Sequence, residues 1–242
     1  MSRFSQWIRR LQNAGKRKSY GLDELDWKLE KHLDFNHGFF IEAGANNGIK
    51  QSNTLYFEKY RQWRGLLIEP VPELATQCKK NRPSCIIENA ALVPCGFSEK
   101  EIEMRYCDLM SQVKGSMKST VDEIEHINRG CKVQNIEIRS LFAPARTLGA
   151  IIEEHNISHI DLLSLDVEGY ELQALQGLDL TRHKPVFILV EARFRSEIDK
   201  HLESHYYVHA ELSHHDVLYR RRDYSGTINE IASYSESGRQ SR

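Results

Sequence analysis

No apolar run in this 242-residue chain approaches the roughly 20 residues needed to span a bilayer, and no apolar signal core follows the N-terminus. A soluble, cytoplasmic protein is therefore expected. Charge of one sign is also lacking, because 33 Lys and Arg against 34 Asp and Glu leave a formal net charge of −1. Nothing draws the chain as a whole toward nucleic acid, which is not an expected partner. The five cysteines, Cys78, Cys85, Cys95, Cys107 and Cys131, fit neither a zinc knuckle nor a C-x-x-C redox pair. They are read as reduced, partly buried thiols.

What is present is enough for one sizeable core: 40% of the residues are apolar and 28% charged, so one elaborated domain is expected over residues 21–222. Ahead of it, Phe4, Trp7, Ile8 and Leu11 fall at helical spacing among Arg3, Arg9, Arg10, Lys16, Arg17 and Lys18. Residues 1–20 thus read as a basic amphipathic segment, either docked on the domain or in peripheral contact with an anionic membrane. Residues 223–242 are polar and read as a flexible tail.

Short apolar runs alternate with helical patterns through most of the domain. Strands are expected at 39–43, 65–69, 85–88, 160–166 and 185–190, with helices between them at 53–63, 72–80, 147–155, 171–176 and 196–204. A helix from about 22 to 33 precedes the first strand, and a hairpin joins 206–212 to 217–221 around Ser213-His214-His215-Asp216. Gly177 reads as a helix C′ residue. The alternation argues for an α/β fold, a mostly parallel sheet of seven strands with right-handed crossovers. The rhythm breaks at residues 94–145, where 101–106 and 132–139 alternate like β ribbons around a helical stretch at 121–128. This segment lacks the apolar residues for its own core and reads as an inserted lid over a substrate.

The chemistry starts where the first strand turns through Gly44-Ala45-Asn46-Asn47-Gly48. Such a turn aims backbone N–H groups at a ligand above the strand's carboxyl end. Glu69, ending the second strand 21 residues after Gly48, is placed to hold ribose hydroxyls. An adenosine cofactor follows from the two together. The middle glycine of the dinucleotide pattern is missing, and Glu42 puts a negative charge in the turn that repels a diphosphate and suits the ammonium and sulfonium of S-adenosylmethionine.

The stretches FFIEAGANNG, QSNTLYFEKYRQWRGLLIEPVPE, ENAAL and IDLLSLDVEGYELQALQG, followed by ILVEAR and ELSHHDVLYRR, resemble the FkbM family of S-adenosylmethionine-dependent methyltransferases. The resemblance implies a class I methyltransferase, Rossmann-like sheet of order 3-2-1-4-5-7-6, and O-methylation of a hydroxyl on a saccharide or natural product. It implies donor binding by Glu42, Gly44, Ala45, Asn46, Gly48, Asn53, Thr54, Glu69, Asn89 and Ala90, with Asp166 and Glu168 beside the transferring methyl. Where many family members carry Lys in the strand before the aspartate, this chain has Ser164.

A hydroxyl acceptor must lose a proton, and the candidates for its base are Asp166, Glu168, His214 and His215. Asp166 and Glu191, ending adjacent strands, are also the pair that would hold Mg²⁺ against a substrate oxygen. Two other readings stay open. One is an NAD(P)-dependent Rossmann oxidoreductase, although a Tyr-x-x-x-Lys relay is absent at Tyr170, which is followed four residues later by Ala174. The other is a non-catalytic binding module on the same fold. The sequence sets no oligomeric state.

Overall fold

The computed structural model describes residues 17–116, 124–125, 127–129, 131–132 and 138–225. Most of the basic segment, at 1–16, and most of the tail, at 226–242, lie outside the described residues. The residues that remain of the first, 17–20, are clasped to the domain. Arg17 donates to Glu30 and to the Tyr56 hydroxyl, and Asp26 accepts from Ser19 Oγ and the Tyr20 N–H.

In chain order the elements are α1 Leu25–Glu30, β1 Phe39–Ala43, α2 Leu55–Arg61, β2 Arg64–Ile68, α3 Pro72–Asn81, β3 Ile86–Glu88 and β4 Ala91–Leu92. Then come β5 Glu101–Tyr106, β6 Gln112–Val113, β7 Arg139–Arg146, α4 Leu148–Glu154, β8 Leu162–Leu165 and α5 Glu171–Gln176. β9 Phe187–Glu191, α6 Arg195–Leu202, β10 Tyr206–Glu211 and β11 Asp216–Arg221 complete the fold. The first helix begins later than its leucine spacing suggests, because Asp23 and Glu24 adopt left-handed backbone angles.

The main sheet has the order β3-β2-β1-β8-β9-β11-β10, with β11 antiparallel to both of its neighbours and the rest parallel. Its central strands are short apolar runs because both faces are covered. Alternate residues feed opposite sides. Ile41, Leu66, Ile68, Leu163, Leu165, Ile188 and Val190 pack with Ile151 and Ile152 of α4 and Ile198 and Leu202 of α6. Phe40, Leu67, Leu162 and Leu189 pack with Leu25, Leu29, Tyr56, Phe57 and Trp63. Each such side chain contributes roughly 1.5–3 kcal/mol of burial, so a one-residue slip of a central strand is strongly disfavoured.

The inserted segment folds onto the domain as a second, four-stranded sheet of order β4-β7-β5-β6. Its long strand is β7, which starts where the ribbon expected at 132–139 ends. The pairing of Glu101 to Tyr106 with Pro144 to Arg139 sets this register, because it turns Ala143 inward beside Met104, Ala91 and Val113. Tyr170 packs against that cluster and joins the insertion to the domain. Cys107 and Cys131 form a disulfide, correcting the expectation of five free thiols; their Cα atoms are 5.4 Å apart, within bonding reach. Gly177 is corrected as well. It has φ −82, and what demands glycine is a close approach, since a Cβ there would lie 2.4 Å from the Val93 carbonyl oxygen.

Candidate active site

β1 and β8 are neighbours whose following chains leave the sheet in opposite directions, and the gap they open is where a doubly wound sheet takes its ligand. Gly44 sits at this point with φ +83, and a Cβ on it would fall 1.8 Å from the Asp166 carbonyl oxygen. No side chain fits there. The cleft above it encloses about 800 Å³ of space, its open mouth included. Its lining includes Gly44, Asn46, Lys50, Glu69, Ala90, Asp108, Asp166, Glu168 and Tyr170, with Ile68, Leu92, Met104 and Val113 as apolar walls.

Glu69 lies at the floor, 4% exposed, with one carboxylate oxygen accepting from the Asn46 N–H at 2.8 Å and the other from the Val71 N–H at 2.9 Å. Burial pushes its pKa up to about 8 against the pull of those two N–H groups, and the nearby Asp108 carboxylate pushes the same way. Asn46 itself takes a left-handed backbone angle and donates from its side chain to Asp108 Oδ1 at 2.9 Å.

Several residues expected to touch a donor stand behind the wall instead. Glu42 does not line the cleft, because its carboxylate accepts from Ser52 Oγ, the Asn53 N–H and Thr54 Oγ1 at 2.9, 2.8 and 2.6 Å. It organises the turn into α2. Its charge is balanced by Arg82, fully buried at 3.8 Å, which also donates to Glu58, the Gly48 carbonyl and Thr54 Oγ1. Asn53 and Thr54 belong to that network, and Asn53 Nδ2 reaches Ser164 Oγ at 3.3 Å. Ala45 is in the apolar core, and Gly48 has φ +80 against the Arg82 stem. The Asn89 side chain is spent on the Glu69 and Pro70 carbonyls, while Ala90 beside it does line the cleft.

At the far end, Asp166, Glu168 and Glu191 each place a carboxylate oxygen within 4.8 Å of the others. Asp166 opens onto the cleft, yet the surrounding protein removes enough water to push its carboxyl well above the ordinary range. Glu191, Glu168 and Glu171 add to that push. Arg193 stands over the cluster, donating to Glu168 at 2.5 Å and to Glu191 at 3.4 Å. The carboxylate that caps the turn into α5 is Glu171, which accepts from the Val167 and Gly169 N–H groups; burial lifts its pKa to about 7.

His214 and His215 do not join this constellation. They are exposed in the β10–β11 turn, with rings edge to face at 4.6 Å, and neither lines the cleft. The His215 carbonyl accepts from the Ala192 N–H, so the turn shares the correct sheet edge but lies two strands out from β8. Lys50, Asp108 and Tyr170 escape a sequence reading of the site, while Arg193, two residues beyond a strand-ending glutamate, reads from the sequence as a grip for an anionic substrate and instead pairs with Glu168 and Glu191.

The methyltransferase FkbM domain model matches residues 42–225, which holds the glycine turn, the insertion and the closing hairpin. Methyltransferase 1 of Beauveria bassiana (strain ARSEF 2860) is 25% identical over 152 residues, and the match covers 58% of each chain, so this chain spans little more than half of that relative. A solved TehB-like SAM-dependent methyltransferase from Corynebacterium glutamicum superposes on 90% of this chain and 96% of its own with 10% identity and a TM-score of 0.40. With three-quarters of its length matched by the family model, the chain belongs to the FkbM methyltransferase family.

Proposed function

We propose that the protein moves a methyl group from S-adenosylmethionine to a hydroxyl of a saccharide or natural product. The observation that carries the reading is the scarcity of cations in the cleft: Lys50, itself paired with Asp108, is the one cation among its described lining residues, while Glu69, Asp166 and Glu168 around it are carboxyls, two of which, Glu69 and Asp166, hold their protons to higher pH. Such a lining disfavours a diphosphate and suits a sulfonium. The residues fit the donor in shape as well. Ile68, Ala90 and Leu92 offer an apolar slot for an adenine, Glu69 ends β2 where ribose hydroxyls are held, and Gly44 leaves the floor open.

The donor supplies an electrophilic methyl carbon, and the protein's share is alignment and proton removal. Asp166, with its carboxyl lifted well above the ordinary value, is a stronger base than a typical aspartate. The Asp166 carboxylate would take the proton of the acceptor O–H as the oxygen–carbon bond forms and the donor's methyl–sulfur bond breaks, the thioether S-adenosylhomocysteine being the leaving group. Arg193 holds Glu168 and Glu191 beside it. The insertion carries Met104, Leu109 and Val113 over the cleft, excluding water and selecting the acceptor.

A divalent cation on Asp166, Glu168 and Glu191 is the second reading, favoured by their spacing. Against it, the Arg193 guanidinium already supplies positive charge to two of the three. Incubation with a donor carrying an isotopically labelled methyl and a panel of hydroxylated saccharides and natural products tests the proposal. Label is expected in an alkali-stable ether; label confined to nitrogen or carbon acceptors would refute O-methylation.

A further inference from the structure

An α-ammonium and an α-carboxylate form one end of the proposed donor, and Glu42, turned into the α2 network, is not available to meet it. Other carboxylates of the cleft are placed for other parts: Glu69 for the ribose, Asp166 and Glu168 for the acceptor end. What remains beside the glycine turn is a pair of opposite charges. Lys50 Nζ lies 2.5 Å from Asp108 Oδ2, and the two side chains are 43% and 23% exposed. Lys50 is the only cation among the described residues lining the cleft.

An ordinary surface ion pair contributes about 0–1 kcal/mol and needs no explanation by function. This one differs in its setting. Asp108 belongs to the insertion and Lys50 follows the glycine turn by two residues, 58 residues away in the chain, and both line the cleft. Asp108 is held ready, since it opens a short turn in which Ser111 Oγ receives the Cys107 N–H at 2.9 Å and donates to the Asp108 carbonyl at 2.7 Å. Its second oxygen rests on the Asn46 side chain at the centre of the glycine turn. A zwitterion matches such a pair atom for atom, ammonium to carboxylate and carboxylate to ammonium, with each partner exchanging one ionic contact for another.

Resting on the donor reading above, we propose that Asp108 and Lys50 bind the amino-acid end of the donor, Asp108 receiving its ammonium and Lys50 its carboxylate. The insertion then contributes to donor binding as well as to acceptor choice. The test titrates the whole chain by calorimetry with two ligands, S-adenosylhomocysteine and 5′-methylthioadenosine, which share the adenosine and sulfur but differ in the amino-acid end. Asp108→Asn and Lys50→Met are each expected to weaken S-adenosylhomocysteine by roughly ten-fold or more while leaving methylthioadenosine within about two-fold of the wild type.

Parallel weakening of both ligands would overturn the assignment, because it would show that Asp108 only braces the glycine turn. Unchanged affinity for S-adenosylhomocysteine in Lys50→Met, a change at a side chain 43% exposed, would overturn it too. A wild-type protein that binds neither ligand would sink the donor reading itself, an outcome distinct from either of these.

Discussion

Glu69 is held by two backbone N–H groups while burial works against its charge, so it is a fixed acceptor at high energy, ready for two more donors. Glu69→Ala is expected to weaken S-adenosylhomocysteine binding by about 1.5–3 kcal/mol above pH 8, where the carboxylate is ionised and hydrogen bonds to it have that scale, as calorimetry at that pH will show. Arg82 is the opposite case, structural and outside the cleft lining. Arg82→Ala leaves Glu42 and Glu58 without their buried counter-charge and is expected to cost about 3–5 kcal/mol in denaturant unfolding. His215→Ala is expected to leave turnover unchanged in a steady-state assay, given its exposed position outside the cleft. The place of Gly44, Asn46, Glu69 and Asp166 at the cleft was legible in the sequence because each ends or follows a buried apolar run. That Glu42 turns away from the cleft was not, because its place in the chain does not tell which side of the strand takes its carboxylate. Asp108, Lys50 and Arg82 were illegible because contacts across 30 to 60 residues leave no local pattern.

At the level of elements, the parallel strands stood out in the sequence because full burial makes them continuous apolar runs, bounded by glycine and proline. The insertion was harder to place. Its alternation marks β structure, but register comes from the partner strand, and β7 lies seven residues further along than the ribbon expected from 132. Gly177 illustrates the same limit, since its need for a bare Cα arises from Val93, far away in sequence. Gly177→Ala is expected to destabilise the protein by about 1–3 kcal/mol through overpacking, measured as a lowered unfolding midpoint. The carboxylate cluster at the ends of β8 and β9 carries its own cation in Arg193, so removing divalent metal with a chelator is expected to leave turnover intact. A loss restored by Mg²⁺ would favour the metal reading.

Across the whole molecule, a parallel sheet gathers its strand ends on one edge, and the reversal of order between β1 and β8 opens the cleft there. That edge concentrates carboxyls with raised pKa values, Glu69 at about 8 and Glu171 at about 7. A carboxyl raised on folding keeps its proton after the unfolded chain has lost it, so stability falls as pH rises from the ordinary carboxylate range through the folded value. For Glu69 the window runs from about pH 4.5 to 8. Denaturant unfolding of Glu69→Ala beside the wild type is expected to show a deficit that shrinks as pH rises across that window. A deficit that grows would mean the carboxylate is stabilised by folding. No helix among the described residues is long and apolar enough to cross a membrane. The claim on which the rest depends is the sulfonium donor, and calorimetry of the wild-type chain with S-adenosylhomocysteine and with NAD tests it most directly. Saturable binding of S-adenosylhomocysteine with none of NAD is predicted, and saturable binding of NAD alone would contradict it.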